Sequence, residues 1–277
     1  MRLGFVAIQR RNYASATLLF SKCVALEPDR YQHYVNCAIA CLKNGELSRG
    51  EELLVRSRKI DKYAAEPLTN LSKLMLSRAL IRDAYSASKM AQVLAPTDPI
   101  IATNFSNLAQ RTGNFRQAEQ FGRWAIQLNP VAAIPRWNLA LIQLGLGRFR
   151  DGWKNFETRW RSDGLPLLTS RNEPQRPFQR PRLATLSECS GRRVLVWAEQ
   201  GVGDELMFGT MLKEFGGYCG RLLVEVDRRL LPLYRRSFGS EVEWIERGAE
   251  VEESRYDLQI PVGSLGLHLR PSVESFA

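Results

Sequence analysis

The sequence predicts two fold classes in succession: an array of about five α-helical hairpins over residues 1–161, then a partial parallel α/β domain over 191–277. Three observations predict this. Small residues, asparagines and prolines recur every 34 positions in the first part, and strand-like apolar runs begin at Arg193. Between them, residues 162–190 carry Pro166, Pro174, Pro177 and Pro181 and read as a linker. A fixed period of this length marks a helical-pair unit that buries its apolar face only by stacking on its neighbours.

The repeat rests on four columns in register. Pro28, Pro96 and Pro130 mark the ruler, with Lys62 at the remaining position. Ala16, Gly50, Ala84 and Ala118 stand twelve residues before these marks, and Cys23, Ser57, Ala91 and Ala125 five before, small side chains where paired helices approach closely. Asn36, Asn70, Asn104 and Asn138 form the fourth column. An apolar residue opens the second helix of each unit: Tyr13, Leu47, Ile81, Phe115 and Phe149. The first repeat begins in mid-helix at Met1, so its first helix is expected to be short. The last repeat has Gly152 and Trp153 in place of the small-residue column and ends in Trp160 without its proline. Trp137, Trp153, Phe156 and Trp160 are expected to bury against the following domain.

These columns resemble the tetratricopeptide repeat (TPR), whose hairpins wind into a right-handed superhelix with a concave inner surface. In that family the sixth position of each first helix faces the groove, which places Asn36, Asn70, Asn104 and Asn138 there. Residues three and seven further along share the face by helical periodicity, adding Lys43, Lys73, Asn107 and Arg111. Amides can donate to and accept from an extended peptide backbone, and the cations favour acidic groups. A protein or peptide partner in the groove is the expectation; asparagine here also occurs in repeats with other tasks.

Composition narrows the function classes. Of 277 residues 44% are apolar and 25% charged, ordinary for a folded chain. No run approaches the roughly 18–20 apolar residues of a membrane span, and the start MRLGFVAIQRR does not read as a secretory signal, so a cytoplasmic location is expected. The net charge of +10 is confined to the first part, where residues 1–150 carry 21 Lys and Arg against 10 Asp and Glu, while 151–277 carry 18 against 19. A basic surface attracts acidic partners, yet no nucleic-acid-reading motif is present and nucleic acid is not the expected partner. Cys23, Cys37, Cys41, Cys189 and Cys219, with His33 and His268, include no CxxC or HxxxH pair, so no metal site is expected.

In the second part RVLVWAE (193–199) and RLLVEVD (221–227) read as buried parallel strands, each followed by a helix, with shorter strands near 242–245 and 256–261. This alternation predicts a Rossmann-like sheet. The turn EQGVGD (199–204) falls at the carboxyl end of the first strand, where Gly201 and Gly203 allow close backbone approach to a phosphate or an acceptor.

The whole order (repeats closing in GRFRDGWKNFETRW, the proline-rich link, GRRVLVWAEQGVGDELMF, RLLVEVDRRLLPLYRR, then YDLQIPVGSLG) resembles bacterial TPR proteins carrying a glycosyltransferase-like domain. These are related to heptosyltransferases and, more distantly, to O-linked N-acetylglucosamine transferases. The resemblance implies a GT-B architecture, an inverting transfer from a nucleotide-sugar, and Asp204 as general base. A helix N-cap is the alternative role for Asp204. Pro181 is followed by Arg182 and Leu183 where the family usually has Trp. The 87 residues from Gly191 are fewer than one such half requires, and the donor-binding half is not among them. No cofactor is therefore expected on this chain, a nucleotide-sugar donor only on a completed one. Two functions remain: the acceptor-binding part of a glycosyltransferase, or a non-catalytic TPR scaffold. A homo-oligomer would cover an unfinished sheet edge.

Overall fold

The computed structural model describes residues 1–160, 178–239 and 241–276. They form two compact units, Met1–Val131 and Ala132–Ala277.

The first unit holds four helical hairpins: α1 (Arg2–Gln9) with α2 (Tyr13–Leu26), α3 (Tyr31–Lys43) with α4 (Leu47–Ile60), α5 (Glu66–Ser77) with α6 (Ile81–Leu94), and α7 (Pro99–Arg111) with α8 (Phe115–Leu128). The column Tyr13, Leu47, Ile81, Phe115 supplies the first residue of every second helix. Asn12 and Asn114 cap two of these helices by accepting from Ser15 and Gln117 N–H at 3.1 and 3.3 Å. Ala16, Ala84 and Ala118 have no exposed surface, and at Gly50 an added Cβ would lie 2.6 Å from Leu42. Ser72 and Ser106, one period apart, donate to the carbonyls of Ala84 and Ala118 at 2.7 Å, a recurrent tie between the two helices of a pair.

A further column is visible only in the backbone. Arg11, Gly45, Ala79, Gly113 and Gly147, each 34 residues from the next, all have positive φ between 57° and 86° at the turn inside a hairpin. Glycine takes this conformation freely, whereas Arg11 and Ala79 hold it at a cost of about 1–2 kcal/mol.

The second unit contains the fifth hairpin, α9 (Ala133–Gly145) with α10 (Phe149–Phe156), and a four-stranded sheet. The compact division thus falls one hairpin earlier than the change of pattern at 161. Gly152 continues the small-residue column, since a Cβ there would meet Leu144 at 2.8 Å just as Gly50 meets Leu42; the expected break in that column is corrected.

The strands are β1 (Arg193–Trp197), β2 (Arg221–Val226), β3 (Val242–Glu246) and β4 (Leu258–Pro261), all parallel, in the order β3-β2-β1-β4. Helices α11 (Val202–Gly209), α12 (Leu212–Gly216), α13 (Leu231–Phe238) and α14 (Leu265–Leu269) connect or follow them. The run predicted as one helix over 206–215 is broken at Thr210–Met211 into α11 and α12.

Both sheet faces are covered, which explains the uninterrupted apolar strands. On one face Val194, Val196, Leu222 and Val224 join a core with Phe208, Leu212, Phe215 and Tyr234. Trp153 and Phe156 of α10 enter that core, as expected of the last repeat's aromatics. On the other face Leu195, Leu223, Ile245 and Tyr256 pack with Phe178 and Trp197.

Of the expected linker, residues 162–177 lie outside the described residues. The remainder is part of the unit: Leu183 N–H donates to Gln259 O at 2.9 Å and Gln259 N–H to Pro181 O at 3.1 Å, so Pro181–Leu183 line the outer edge of β4. That edge of the sheet is covered within the chain.

Candidate functional site

Three of the four column asparagines share the first unit. Asn36 on α3, Asn70 on α5 and Asn104 on α7 are half-buried, and their amides differ in what they hold. Asn70 Nδ2 donates to Glu66 O in its own helix at 3.0 Å, and Asn36 Nδ2 reaches Met1 Sδ at 3.9 Å. Asn104 Nδ2 is buried with no partner. It lines a cavity of about 180 Å³ together with Thr69, Ser72, Lys73, Asn107 and Arg111. This cavity gathers four of the residues chosen from the sequence. Lys43 is exposed, its ammonium 5.7 Å from the centre of the Tyr13 ring. Asn138 lies on α9 in the second unit.

The cavity is electropositive. Neither Lys73 nor Arg111 forms an ion pair among the described residues. Partial desolvation, and then the like charge of Lys43, push the Lys73 ammonium below its ordinary value. An anion placed beside it would relieve both effects. Chemically, the site offers one unmet amide donor and two cations.

The second candidate is the carboxyl edge of the sheet. Gln200 holds φ of +60°, and Gly201 starts α11 with its N–H donating to Asp204 Oδ2 at 3.1 Å. Asp204 is therefore engaged as a cap of α11. No atom lies within 4 Å of a Cβ built on Gly203. A cavity of about 640 Å³ is lined by Gln200, Gly201, Asp227, Arg228, Arg229 and Arg247 among others, and Gln200 Nε2 is buried without a partner.

Several backbone donors at this edge are held by the chain's own carboxylates. Buried Glu225 accepts from Ala198 and Gly248 N–H at 3.0 and 2.9 Å, and buried Glu205 accepts from Asp227 N–H at 2.8 Å and from Arg247 at 2.9 Å. Burial raises the Glu205 carboxyl above its ordinary value, partly offset by Asp227 N–H and Arg247. Asp227 accepts two bonds from Arg229 at 2.8 Å, and these with the Arg229 N–H hold its carboxyl well below the usual carboxylate range.

Strand order reverses between β1 and β4, the place where open parallel sheets receive ligands. Here Arg159, 3% exposed, fills that place. Its guanidinium donates to both oxygens of Glu199 at 2.8 Å, to Ser264 Oγ at 2.8 Å and to Glu157 at 2.8 Å. Phe156 and Trp160 lie 4.2 and 4.5 Å from it, ring centre to guanidinium carbon. Glu199 also accepts Gly263 N–H at 2.8 Å. Arg182, where the resembled family usually has Trp, reaches Ser264 Oγ at 2.7 Å. Sequence reasoning did not select Arg159, Glu199 and Ser264; the signal was Glu199 closing the apolar run RVLVWAE, since a charge at the end of a buried strand needs a partner.

Together the paired helices at 34-residue spacing define a TPR-type array, and the second unit a small all-parallel α/β sheet. No protein-family profile matches the chain. It is similar to protein FlbA of Caulobacter vibrioides, 33% identical over 161 residues, covering 52% of this chain and 26% of that protein. The chain thus spans about a quarter of the length of the curated relative it matches. Among solved structures, a TPR protein of Thermus thermophilus superposes with TM-score 0.51 at 18% identity, over 57% of this chain and 86% of that one. Pseudomonas aeruginosa PilF gives 0.51 at 16%, over 57% and 72%, and the Cut9–Hcn1 tetramer of the APC/C gives 0.52 at 15%, over 56% and 31%. At these identities the likeness concerns the fold of the helical part. No described helix is long and apolar enough to cross a membrane.

Proposed function

We propose that the helical array is a protein-interaction module whose cavity between α5 and α7 takes an extended acidic segment of a partner protein. The observation that carries this reading is Asn104 Nδ2, a buried donor with no partner, set beside Lys73, Asn107 and Arg111. A buried unmet donor costs about 1–3 kcal/mol, which a peptide carbonyl or carboxylate would recover. In a titration against acidic and neutral nonapeptides followed by fluorescence anisotropy, the acidic set is expected to bind more tightly, with the preference falling as salt rises. Asn104→Ala is expected to weaken the acidic set about tenfold without lowering the melting midpoint. Equal affinity for both peptide sets, or no effect of the substitution, sinks the reading.

A second reading is supported by the parallel sheet and the cavity at its carboxyl edge: the second unit as a Rossmann-like half of a glycosyltransferase, acting with a nucleotide-sugar donor. The capping bond of Asp204 and the carboxylates holding the backbone donors weigh toward a structural sheet without donor binding, the scaffold alternative. Titration with nucleotide-sugars separates the two, because a ligand of the native state raises its melting midpoint. A saturable rise supports the transferase reading, and a cooperative transition that none of them shifts removes it.

A further inference from the structure

The cavity between α5 and α7 holds an excess of one sign of charge. Lys73 and Arg111 are the charged residues of its lining, and none of its lining side chains is acidic. Desolvation first and then the like charge of Lys43 disfavour the Lys73 ammonium, and no carboxylate offsets them. Of the hydroxyls in the lining, Thr69 donates to Ala65 O at 3.2 Å and Ser72 to Ala84 O at 2.7 Å, which spends their hydrogens within the chain. The donors left for a ligand include the two cations and Asn104 Nδ2, which is buried without a partner.

Charge and size narrow what fits. A volume of about 180 Å³ is below the roughly 300–1,000 Å³ of sites that enclose a whole small ligand, and it suits a single side-chain group. A glutamate or aspartate would bring one negative charge and leave one cation uncompensated. A phosphorylated serine or threonine brings about 1.5–2 negative charges at neutral pH and three acceptor oxygens, which match two cations and one amide donor. We infer that this cavity recognises a phosphoserine or phosphothreonine of the partner segment, its oxygens taken by Lys73, Arg111 and Asn104 Nδ2. The inference rests on the reading of the array as a module for an acidic segment. It adds that phosphorylation of the partner switches the binding on.

The test uses the full chain and three labelled nonapeptides, alternating alanine and glutamine about a central serine, glutamate or phosphoserine. Anisotropy titrations are expected to show saturable binding of the phosphoserine peptide, about tenfold tighter than the glutamate peptide, which in turn binds more tightly than the serine peptide. Lys73→Gln and Arg111→Gln, both at exposed positions, are each expected to weaken the phosphoserine peptide about tenfold and bring it level with glutamate, with an unchanged circular dichroism spectrum. Lys89→Gln, at an exposed position outside the cavity, should leave the preference intact. Equal affinity for phosphoserine and glutamate, with serine weaker, overturns this inference and leaves the acidic-segment reading standing. Equal affinity for all three peptides, or no saturable binding, overturns both. A loss from Lys89→Gln as large as that from Lys73→Gln also overturns the inference, because the preference would then belong to the net charge and not to the cavity.

Discussion

Replacing Arg159 by alanine is expected to destabilise the second unit by about 3–5 kcal/mol, the cost of removing one partner from a buried ion pair. Glu199 is 5% exposed and receives both of its strongest bonds from this guanidinium. Without them its carboxylate keeps only Gly263 N–H among the described residues. Ser264 and Glu157 lose a shared donor at the same time. Urea unfolding followed by tryptophan fluorescence would report the loss as a lower midpoint with an unchanged slope. The double variant Arg159→Met with Glu199→Gln is expected to recover much of it, because the uncompensated charge is then gone. A loss below about 1 kcal/mol for Arg159→Ala would mean that water reaches Glu199 and that the pair does not hold the β1 and β4 ends together.

The second large effect concerns where the sheet unit begins. A fragment starting at Ala132 is expected to unfold in one cooperative transition, whereas one starting at Ser162 is expected to show none. The shorter fragment lacks Trp153, which packs on Phe208 with ring centres 6.2 Å apart and donates to Arg270 O at 2.8 Å. It also lacks Phe156, 4% exposed in the same core, and Arg159. Removing one large buried aromatic costs about 3–5 kcal/mol, so losing two together with the ion pair approaches the whole stability of a domain, about 5–15 kcal/mol. Calorimetry on the two fragments decides the matter; a cooperative transition in the Ser162 fragment would place the folding boundary after the last hairpin.

Much of the helical architecture was legible because its causes are local and repeated. Tyr13, Leu47, Ile81 and Phe115 mark helix starts since side-chain spacing along one helix face is fixed by the backbone. Strands β1 and β2 were readable for a related reason: both faces are covered, so the apolar run is unbroken. The break inside the predicted 206–215 helix was not readable, because no proline marks it. Among site residues, the sequence brought Lys73, Asn104, Asn107 and Arg111 to one face, and they line one cavity. Which asparagine keeps a free amide depended on neighbours: Asn70 bonds back to Glu66 O, and Asn104 does not. The same distinction applies at Asp204, where GxGD allows a base or a cap and the Gly201 N–H engages the carboxylate.

By itself the sequence determined the 34-residue helical pairs, the parallel alternation of strands and helices, and the concentration of positive charge in the first part. These follow from periodicity and composition, which act within one helix turn or one strand and need no knowledge of distant residues. Only the tertiary structure decided that the last hairpin belongs with the sheet and that Arg159, paired with Glu199, lies where strand order reverses. Each of these depends on what lies across space from a side chain. The worth of a buried charge is set by that neighbour, and Arg159 and Glu199 are 40 positions apart along the chain.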